Sequence, residues 1–543
     1  MASLPHIPDE PERNVWDVVV IGTGMGGSTI GYALARHGHR VLFIEKGPLR
    51  SETNVLPIQQ GGGPIDDSPE ARLTRGEWPQ RIAGTTSFGE LEFFPPLGCG
   101  AGGSTAIYAA ALERLHPLDF RPRANYPDVT DSTLPDAWPI AYEDLTPYYD
   151  EAEKLFRVCG TPDPLVDGGP CTLREPPHLS AQDQYFHDSW TRSGLHPYRL
   201  HLGCEFIPNC EQCLGRLCAR NCKSDAKRIC LMPALERFGA QILPDCEVSR
   251  LEASPHKVER VFCRWRGREI SISGRIVVLA ASAWMTPALL LRSRSESWPE
   301  GIANGSGMVG RNLMFHAGDL VAVLPRKRGA IAGPVKSIAL NDFYSNGSRK
   351  LGTFQSLGGR MDWGMVLWFL RSAADKDPRW WRKLTRPLLP GVAMIAMSYF
   401  KHAGIFATIL EDLPYYDNRV VPDPQAKSGF RFTYKYTDEL RERNNLFRER
   451  LAKALSPQRM IILSHENNSN YGHVCGTCRF GEDPATSVLD RNNRAHGLEN
   501  LYVVDASFFP SSGGTNPSLT IAANALRVAD AIGDRPHTAR ARQ

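Results

Sequence analysis

Residues 17–46 read Asp-Val-Val-Val-Ile-Gly-Thr-Gly-Met-Gly-Gly-Ser-Thr-Ile-Gly-Tyr-Ala-Leu-Ala-Arg-His-Gly-His-Arg-Val-Leu-Phe-Ile-Glu-Lys. Residues 18–21 are a short apolar run of the kind that builds a strand buried on both faces. Gly22, Gly24 and Gly27 follow at G-x-G-x-x-G spacing. Residues 28–36 predict a helix, with Gly38 as its stop. Residues 41–44 predict a second strand, and Glu45 stands at its end. Each part suits a bound dinucleotide. Gly22 permits a tight turn, Gly24 lets the backbone approach a pyrophosphate, and Gly27 lets helix and strand pack closely. The helix N-terminus faces the phosphates. Glu45 can accept hydrogen bonds from ribose hydroxyls and would repel a 2′-phosphate. Strand, glycines, helix, strand and acid within one βαβ length separate this stretch from a mere glycine-rich turn. The motif serves flavin and nicotinamide dinucleotides alike, so that choice falls to the rest of the chain.

With 543 residues the chain can hold two or more domains with large cores. Hydrophobic residues at 42% and charged ones at 22% describe an ordinary globular chain. A net charge of +4 over this length gives no case for a nucleic-acid partner. Residues 1–14 are polar and proline-rich, without the apolar core of a signal peptide. No apolar run reaches the length that spans a bilayer. The expectation is a cytoplasmic protein. Of 13 cysteines, five crowd into residues 204–222. In the cytoplasm such a cluster suggests thiols or a metal site more than disulfides.

Residues 49–80 carry Gly-Gly-Gly, prolines and mixed charge, as expected of a surface excursion or a lid segment. Residues 97–111 are dense in small side chains, so something flat or charged can approach the backbone around Gly102, Gly103 and Ser104. Residues 136–159 predict a packed helix that begins near Asp144 and Thr146-Pro147. Cys210, Cys213, Cys218 and Cys222 stand close enough for an iron–sulfur cluster or zinc, with Cys204 upstream. Their spacing matches neither a ferredoxin run nor a zinc ribbon, so structural thiols are the preferred reading and no metal is assigned.

Residues 239–251 alternate as one strand, and residues 258–272 add two more in an antiparallel meander. Residues 275–282 predict a buried strand ending in small residues, and Thr286-Pro287 predicts the opening of a helix. Residues 315–460 are rich in aromatics: Trp363, Trp368, Phe369, Trp380, Trp381, Tyr399, Phe400 and Phe406, with Arg379, Arg382, Lys383 and Arg386 among them. This is read as the aromatic core of a substrate domain; exposed, it would suit peripheral contact with a membrane. Residues 438–455 predict an amphipathic helix. Residues 471–481 contain His473 between glycine and cysteine. Residues 501–504 predict a last buried strand with Asp505 at its carboxyl end, where open α/β sheets bind ligands. Asn516-Pro517 precedes the final helix, and the Asn516 side chain can cap it or point at a ligand.

Together these pieces resemble the glucose–methanol–choline (GMC) oxidoreductases, FAD enzymes that oxidise alcohols. The matching motifs are residues 22–27 with Glu45, residues 102–105, residues 282–290, Gly310-Arg311-Asn312-Leu313, residues 473–479, and residues 504–507 through Asn516-Pro517. They occur in family order over nearly the whole chain. The resemblance implies an α/β fold with a Rossmann-like FAD domain of the p-hydroxybenzoate-hydroxylase kind. A second α+β substrate domain, on a mainly antiparallel sheet, would complete it. The expected bounds are 14–123, 205–316 and 488–534 for the FAD domain, and 124–204 and 317–487 for the substrate domain.

The resemblance implies that an alcohol gives its hydroxyl proton to a base and its hydride to flavin N5. Histidine suits that base. His473 stands at the family's catalytic histidine position, and Asn516 where the second polar partner falls. Gly22, Gly24, Met25, Gly26, Gly27, Glu45, Gly102, Gly103, Ser104, Val248, Ala281, Asp505, Ala506, Asn516 and Pro517 are the expected cofactor contacts. Residues 104–108 hold no histidine for a covalent flavin link, so FAD is expected to be non-covalent. Oxygen or another acceptor would take the electrons from a small-molecule alcohol. Two alternatives stay open: a dehydrogenase subunit passing electrons through a cysteine-bound iron–sulfur cluster to a membrane or cytochrome acceptor, and a non-redox flavoprotein lyase.

Overall fold

The computed structural model describes residues 6–50, 66–166, 172–208, 210, 212–345, 349–358, 363–364, 366–367, 370–371, 386–456, 458–464 and 469–533. Residues 51–65 of the expected excursion lie outside this set, as do Trp368, Phe369, Arg379, Trp380, Trp381, Arg382 and Lys383.

The first strand, Val15–Ile21, lies parallel between Val41–Ile44 and the far half of Arg268–Leu279. Gln241–Leu243 extends one side of this sheet, and Leu501–Val503 pairs with Arg268–Leu279 on the other. Where they pair in parallel its strands carry apolar runs, residues 18–21, Val41–Ile44 and residues 276–279, as parallel sheets covered on both faces require. Helix Met25–Arg36 follows the glycine turn and packs on the final helix, Ser518–Gly533. The packing is close because Gly26 has no side chain; a Cβ there would stand 2.1 Å from the carbonyl oxygen of Val504. Gly27 does the same toward Gly22, whose carbonyl oxygen lies 2.1 Å from its would-be Cβ. Helix Tyr142–Leu155 packs outside the final helix and begins with the Asp144 carboxylate accepting from the Ala141 amide at 2.9 Å.

Two local expectations are corrected. The single strand expected over 239–251 is two strands, Gln241–Leu243 in the parallel sheet and Cys246–Ala253 in the meander. Pro244 has no amide to donate and Asp245 adopts φ +51°, so the chain turns between them. The helix expected to open at Thr286-Pro287 begins earlier, as Ser282–Arg292. An interior proline is tolerated because the carbonyl it leaves free, that of Ala283, accepts from Thr477 Oγ1 at 2.7 Å. Strand Arg268–Leu279 joins two expected elements, pairing antiparallel with Val258–Trp265 before it enters the parallel sheet.

The second sheet has eight strands, all paired antiparallel. At its centre Gly404–Leu410 lies between Leu320–Leu324 and Gly352–Ser356. Met314–Ala317 joins Gly404–Leu410 to Ser469–Cys475. One face buries Phe315, Phe354 and Phe406 with Trp190 in an aromatic core. A third sheet pairs Ile82–Thr86 in parallel with Phe430–Tyr434. It thereby unites strands from both expected domain ranges.

Candidate active site

A cleft opens along the carboxyl ends of the parallel strands. Its floor is the glycine turn, with Gly22, Gly24, Met25 and Gly26, and Glu45 stands at the end of the next strand. Gly103 and Ser104 come from the small-residue segment, and Val248 and Ala281 from the sheet. Asp505, Ala506 and Pro517 close the opposite side, where His473 also lines the wall. Gly27, Gly102 and Asn516 are not among the residues that line it. Gly27 serves the helix–strand contact, and Gly102 takes φ +90° to start the short turn Gly103–Ala106.

Glu45 is fully engaged. One carboxylate oxygen accepts from the Thr23 amide at 3.0 Å and Thr23 Oγ1 at 2.7 Å, the other from the amides of Gly47 and Gly100 at 3.0 and 3.2 Å. A ribose hydroxyl would share or displace one of these donors. Asp505 is buried, capped by Ser507 and Thr286, and burial raises its carboxyl above the usual range. A long channel bounded by glycines where side chains would collide, with a helix N-terminus on its floor, suits FAD. Gly103 shows the tightness: a Cβ would stand 2.8 Å from Gly24 Cα.

The base candidate is held by a residue that sequence reading missed. His316 Nδ1 lies 2.9 Å from His473 Nδ1, with the rings perpendicular. His316 Nε2 faces the carbonyl oxygens of Ser512 and Gly513 at 3.1 and 3.0 Å. Carbonyls only accept, so Nε2 of His316 carries its proton. Burial lowers His316 to about 4, so it is neutral and its Nδ1 is a bare acceptor. His473 must therefore donate from Nδ1, which leaves its Nε2 lone pair free. Burial first, then His316 and Lys336, hold His473 well below the usual imidazole range. The result is a neutral histidine with its basic nitrogen fixed. The signal for His316 was its place three residues beyond Leu313, within an apolar strand that a histidine interrupts.

The loop behind this pair is braced by buried charge. Lys350 is ion-paired to both Asp119 and Glu411. Glu411 accepts from the Gly513 amide at 3.2 Å, and Tyr344, which donates to Asp119, accepts from the Gly514 amide at 2.9 Å. Asn516 follows, buried, with its Oδ1 unpartnered among the described residues. That oxygen does not cap the final helix.

The thiols of Cys204, Cys210 and Cys222 lie within 4.8 Å of one another. Cys218 Sγ stands 3.3 Å from Cys222 Sγ, while Cys213 is outside the trio. Cys204 thus joins the expected group, and Cys213 keeps contact with it through Cys218. Hydrogen bonding from Cys204 lowers Cys210 to about 5, while Cys204, by its bond to Cys210 and by burial, and Cys222, by burial, are pushed up. Lys223 ties this segment down, donating to the carbonyls of Tyr108, Cys213 and Arg216 at 3.3, 3.0 and 2.7 Å. Tyr108 OH donates to the Ser224 carbonyl at 2.7 Å, so Tyr108 anchors the cysteine segment against the small-residue stretch.

Comparison with known proteins follows the same lines. A family model described as GMC oxidoreductase matches residues 17–318, and a second matches residues 415–525. The chain is 31% identical to the paromamine 6′-oxidase of Streptomyces fradiae, over 96% of this chain and 92% of that one. It is 27% identical to the 2-methyl-1,2-propanediol dehydrogenase of Mycolicibacterium austroafricanum, over 96% and 95%. Among solved structures, the pyridoxine 4-oxidase from Mesorbium loti shares the fold, with a TM-score of 0.64 at 20% identity, over 96% of this chain and 100% of that one.

Proposed function

This chain belongs to the GMC oxidoreductases, FAD enzymes acting on CH–OH groups, and from that premise we propose that His473 and Asn516 carry alcohol oxidation in it. Bound FAD supplies the hydride acceptor. The cavity residues from Gly22 to Gly26, with Glu45, Gly103, Ser104 and Asp505, hold it non-covalently, since residues 104–108 offer no histidine for a covalent link. His473 Nε2 takes the hydroxyl proton of the substrate. Asn516 hydrogen-bonds the same oxygen and keeps the carbinol carbon oriented. Asn516 is buried and His473 partly buried, which limits the water that can reach the developing alkoxide.

The observation that carries this reading is the His316–His473 bond, which leaves a neutral, correctly protonated base facing the cavity. Anaerobic mixing of the holoenzyme with a panel of alcohols tests it. His473→Ala should keep its FAD and bleach slower by orders of magnitude; undiminished bleaching sinks the assignment.

The thiol group supports a second reading, in which the same chemistry feeds electrons to an iron–sulfur cluster at Cys204, Cys210, Cys218 and Cys222. Metal analysis of anaerobically purified protein decides it, since stoichiometric iron is required. We further propose a cytoplasmic setting, which keeps such thiols reduced. Among the described residues no helix is long and apolar enough to cross a membrane. Peripheral membrane contact rests on helix Leu389–Phe400, where Met394 and Ile395 are each 68% exposed. Vesicle co-sedimentation tests that contact.

A further inference from the structure

The cysteine segment forms a second constellation, and none of its described residues lines the flavin cleft. Its two flanks lie side by side. The Glu205 amide donates to the Cys222 carbonyl and the Ser224 amide to the Gly203 carbonyl, each at 2.8 Å. Cys204 and Cys222 are thereby held at the mouth of one loop, and the chain between them returns its other thiols to the same place. Cys210 Sγ comes to 3.4 Å from Cys222 Sγ and Cys218 Sγ to 3.3 Å from it. All four are free thiols, and Cys222 stands almost equally close to two of them, so no single pair is set up for a disulfide.

The backbone around these sulfurs is shaped to hold them as ligands. The Gln212 amide donates to Cys210 Sγ at 3.4 Å, and the amides of Phe206 and Arg220 serve Cys204 and Cys218 in the same way. Each of these donors lies two residues beyond its sulfur. An N–H aimed at a sulfur steadies the thiolate and fixes its direction toward a metal. The turns are strained to achieve this. Phe206 and Gln212 take φ +45° and +47°, a region that bulky side chains avoid, and Asn221 takes +54°. Such strain persists only where the surroundings over-determine the turn, and the free thiols alone do not.

The spacing of the sulfurs selects one ion over a cluster. A tetrahedral ion with metal–sulfur bonds of about 2.3 Å sets its sulfurs about 3.8 Å apart. The contacts of 3.3 and 3.4 Å and the 4.8 Å limit on the trio bracket that value. An iron–sulfur cluster binds its cysteines to different irons with sulfide between them, which spreads the set wider. Four sulfur donors with no open position are the closed set of a structural zinc.

We infer that the thiolates of Cys204, Cys210, Cys218 and Cys222 hold one Zn²⁺, which staples the cysteine loop between the two halves of the molecule. Four thiols give up their protons to solvent, four zinc–sulfur bonds form, and no electron moves. The segment is then a redox-silent clamp and not an electron exit. Four thiolates on a divalent ion leave a double negative charge, and the ammonium of Lys223, buried and bridged to Cys204, offsets part of it. On one side Leu217 lies against Gly76, and Tyr108 OH donates to the Ser224 carbonyl. On the other side Gln212 Nε2 donates to the Gly333 carbonyl at 3.2 Å and its Oε1 accepts from the Val335 amide at 2.6 Å, just before Ile338–Leu340 of the antiparallel sheet.

The test is metal analysis of the full-length holoenzyme from zinc-supplemented cultures, followed by exchange with Co²⁺. The wild type should carry about one zinc per chain and no iron, and the cobalt form should show the tetrahedral thiolate bands to the red of the flavin. Cys210→Ser and Cys222→Ser should each retain less than about a tenth of the wild-type zinc, while Cys213→Ser keeps it. Should the ligand variants fail to fold, the wild type gives the same reading: a chelator should lower its melting temperature and added zinc should restore it. Iron in place of zinc overturns the inference and favours electron transfer through the segment. A metal-free protein, a disulfide among the four thiols, or zinc retained by Cys222→Ser also overturns it. His473→Ala should hold its zinc at the wild-type level, so the fate of the base assignment and of this inference are read separately.

Discussion

Replacing His316 with leucine isolates what the histidine pair contributes. The substitution removes the acceptor for His473 Nδ1–H, now met at 2.9 Å in a buried site. A donor left buried without a partner costs about 1–3 kcal/mol. His473 can escape that cost by moving its proton to Nε2, the atom that must stay bare to act as base. With about 1.4 kcal/mol per factor of ten, flavin reduction should slow by about 10- to 100-fold. Loss of the base itself, in His473→Ala, should cost about 100- to 10,000-fold. His316→Gln, whose carboxamide oxygen can accept from Nδ1–H, should recover part of the loss. The assay is single-turnover bleaching of the visible flavin band under anaerobic conditions, with FAD content measured on each variant. A His316→Leu enzyme as fast as the wild type refutes the tautomer argument. One as slow as His473→Ala, and not rescued by glutamine, makes His316 the base instead.

Because burial keeps His473 well below the usual imidazole range, its free-base form persists as pH falls through about 6.5. The pH profile of kcat/KM should therefore stay flat across that value and drop only in more acid solution; a limb titrating at or above it contradicts the assignment. Lys350→Met strands Asp119 and Glu411 together in the interior, and chemical denaturation should record a loss of about 3–5 kcal/mol. Gly26→Ala places a methyl 2.1 Å from the Val504 carbonyl oxygen. The helix must shift away from the sheet, at about 1–3 kcal/mol, and the purified protein should carry less than stoichiometric FAD.

The nucleotide-binding half was legible because its signals are local. An apolar run, a glycine triplet and an acid at fixed offsets constrain neighbours in the chain, and the strand Val41–Ile44 lies where expected. Boundaries failed where a local rule met a tertiary one. Pro287 reads as a helix start, yet Thr477, far along the chain, takes up the carbonyl that the proline leaves free. The alternation over 239–251 reads as one strand, yet its two halves answer to different neighbours.

The sequence by itself determined the fold class, the dinucleotide turn and the family likeness, and it put forward the histidine at position 473 as the candidate base, since each is written in residue types at short spacing. Only the tertiary structure decided how that histidine is protonated. His316 reaches it across 157 residues, and the carbonyls of Ser512 and Gly513 that fix His316 lie 196 and 197 residues from His316 in sequence. Tertiary packing also brought Cys204 to Cys222. The physical reason is that a hydrogen bond or an electrostatic field depends on distance in space, which strand pairing sets and sequence spacing does not.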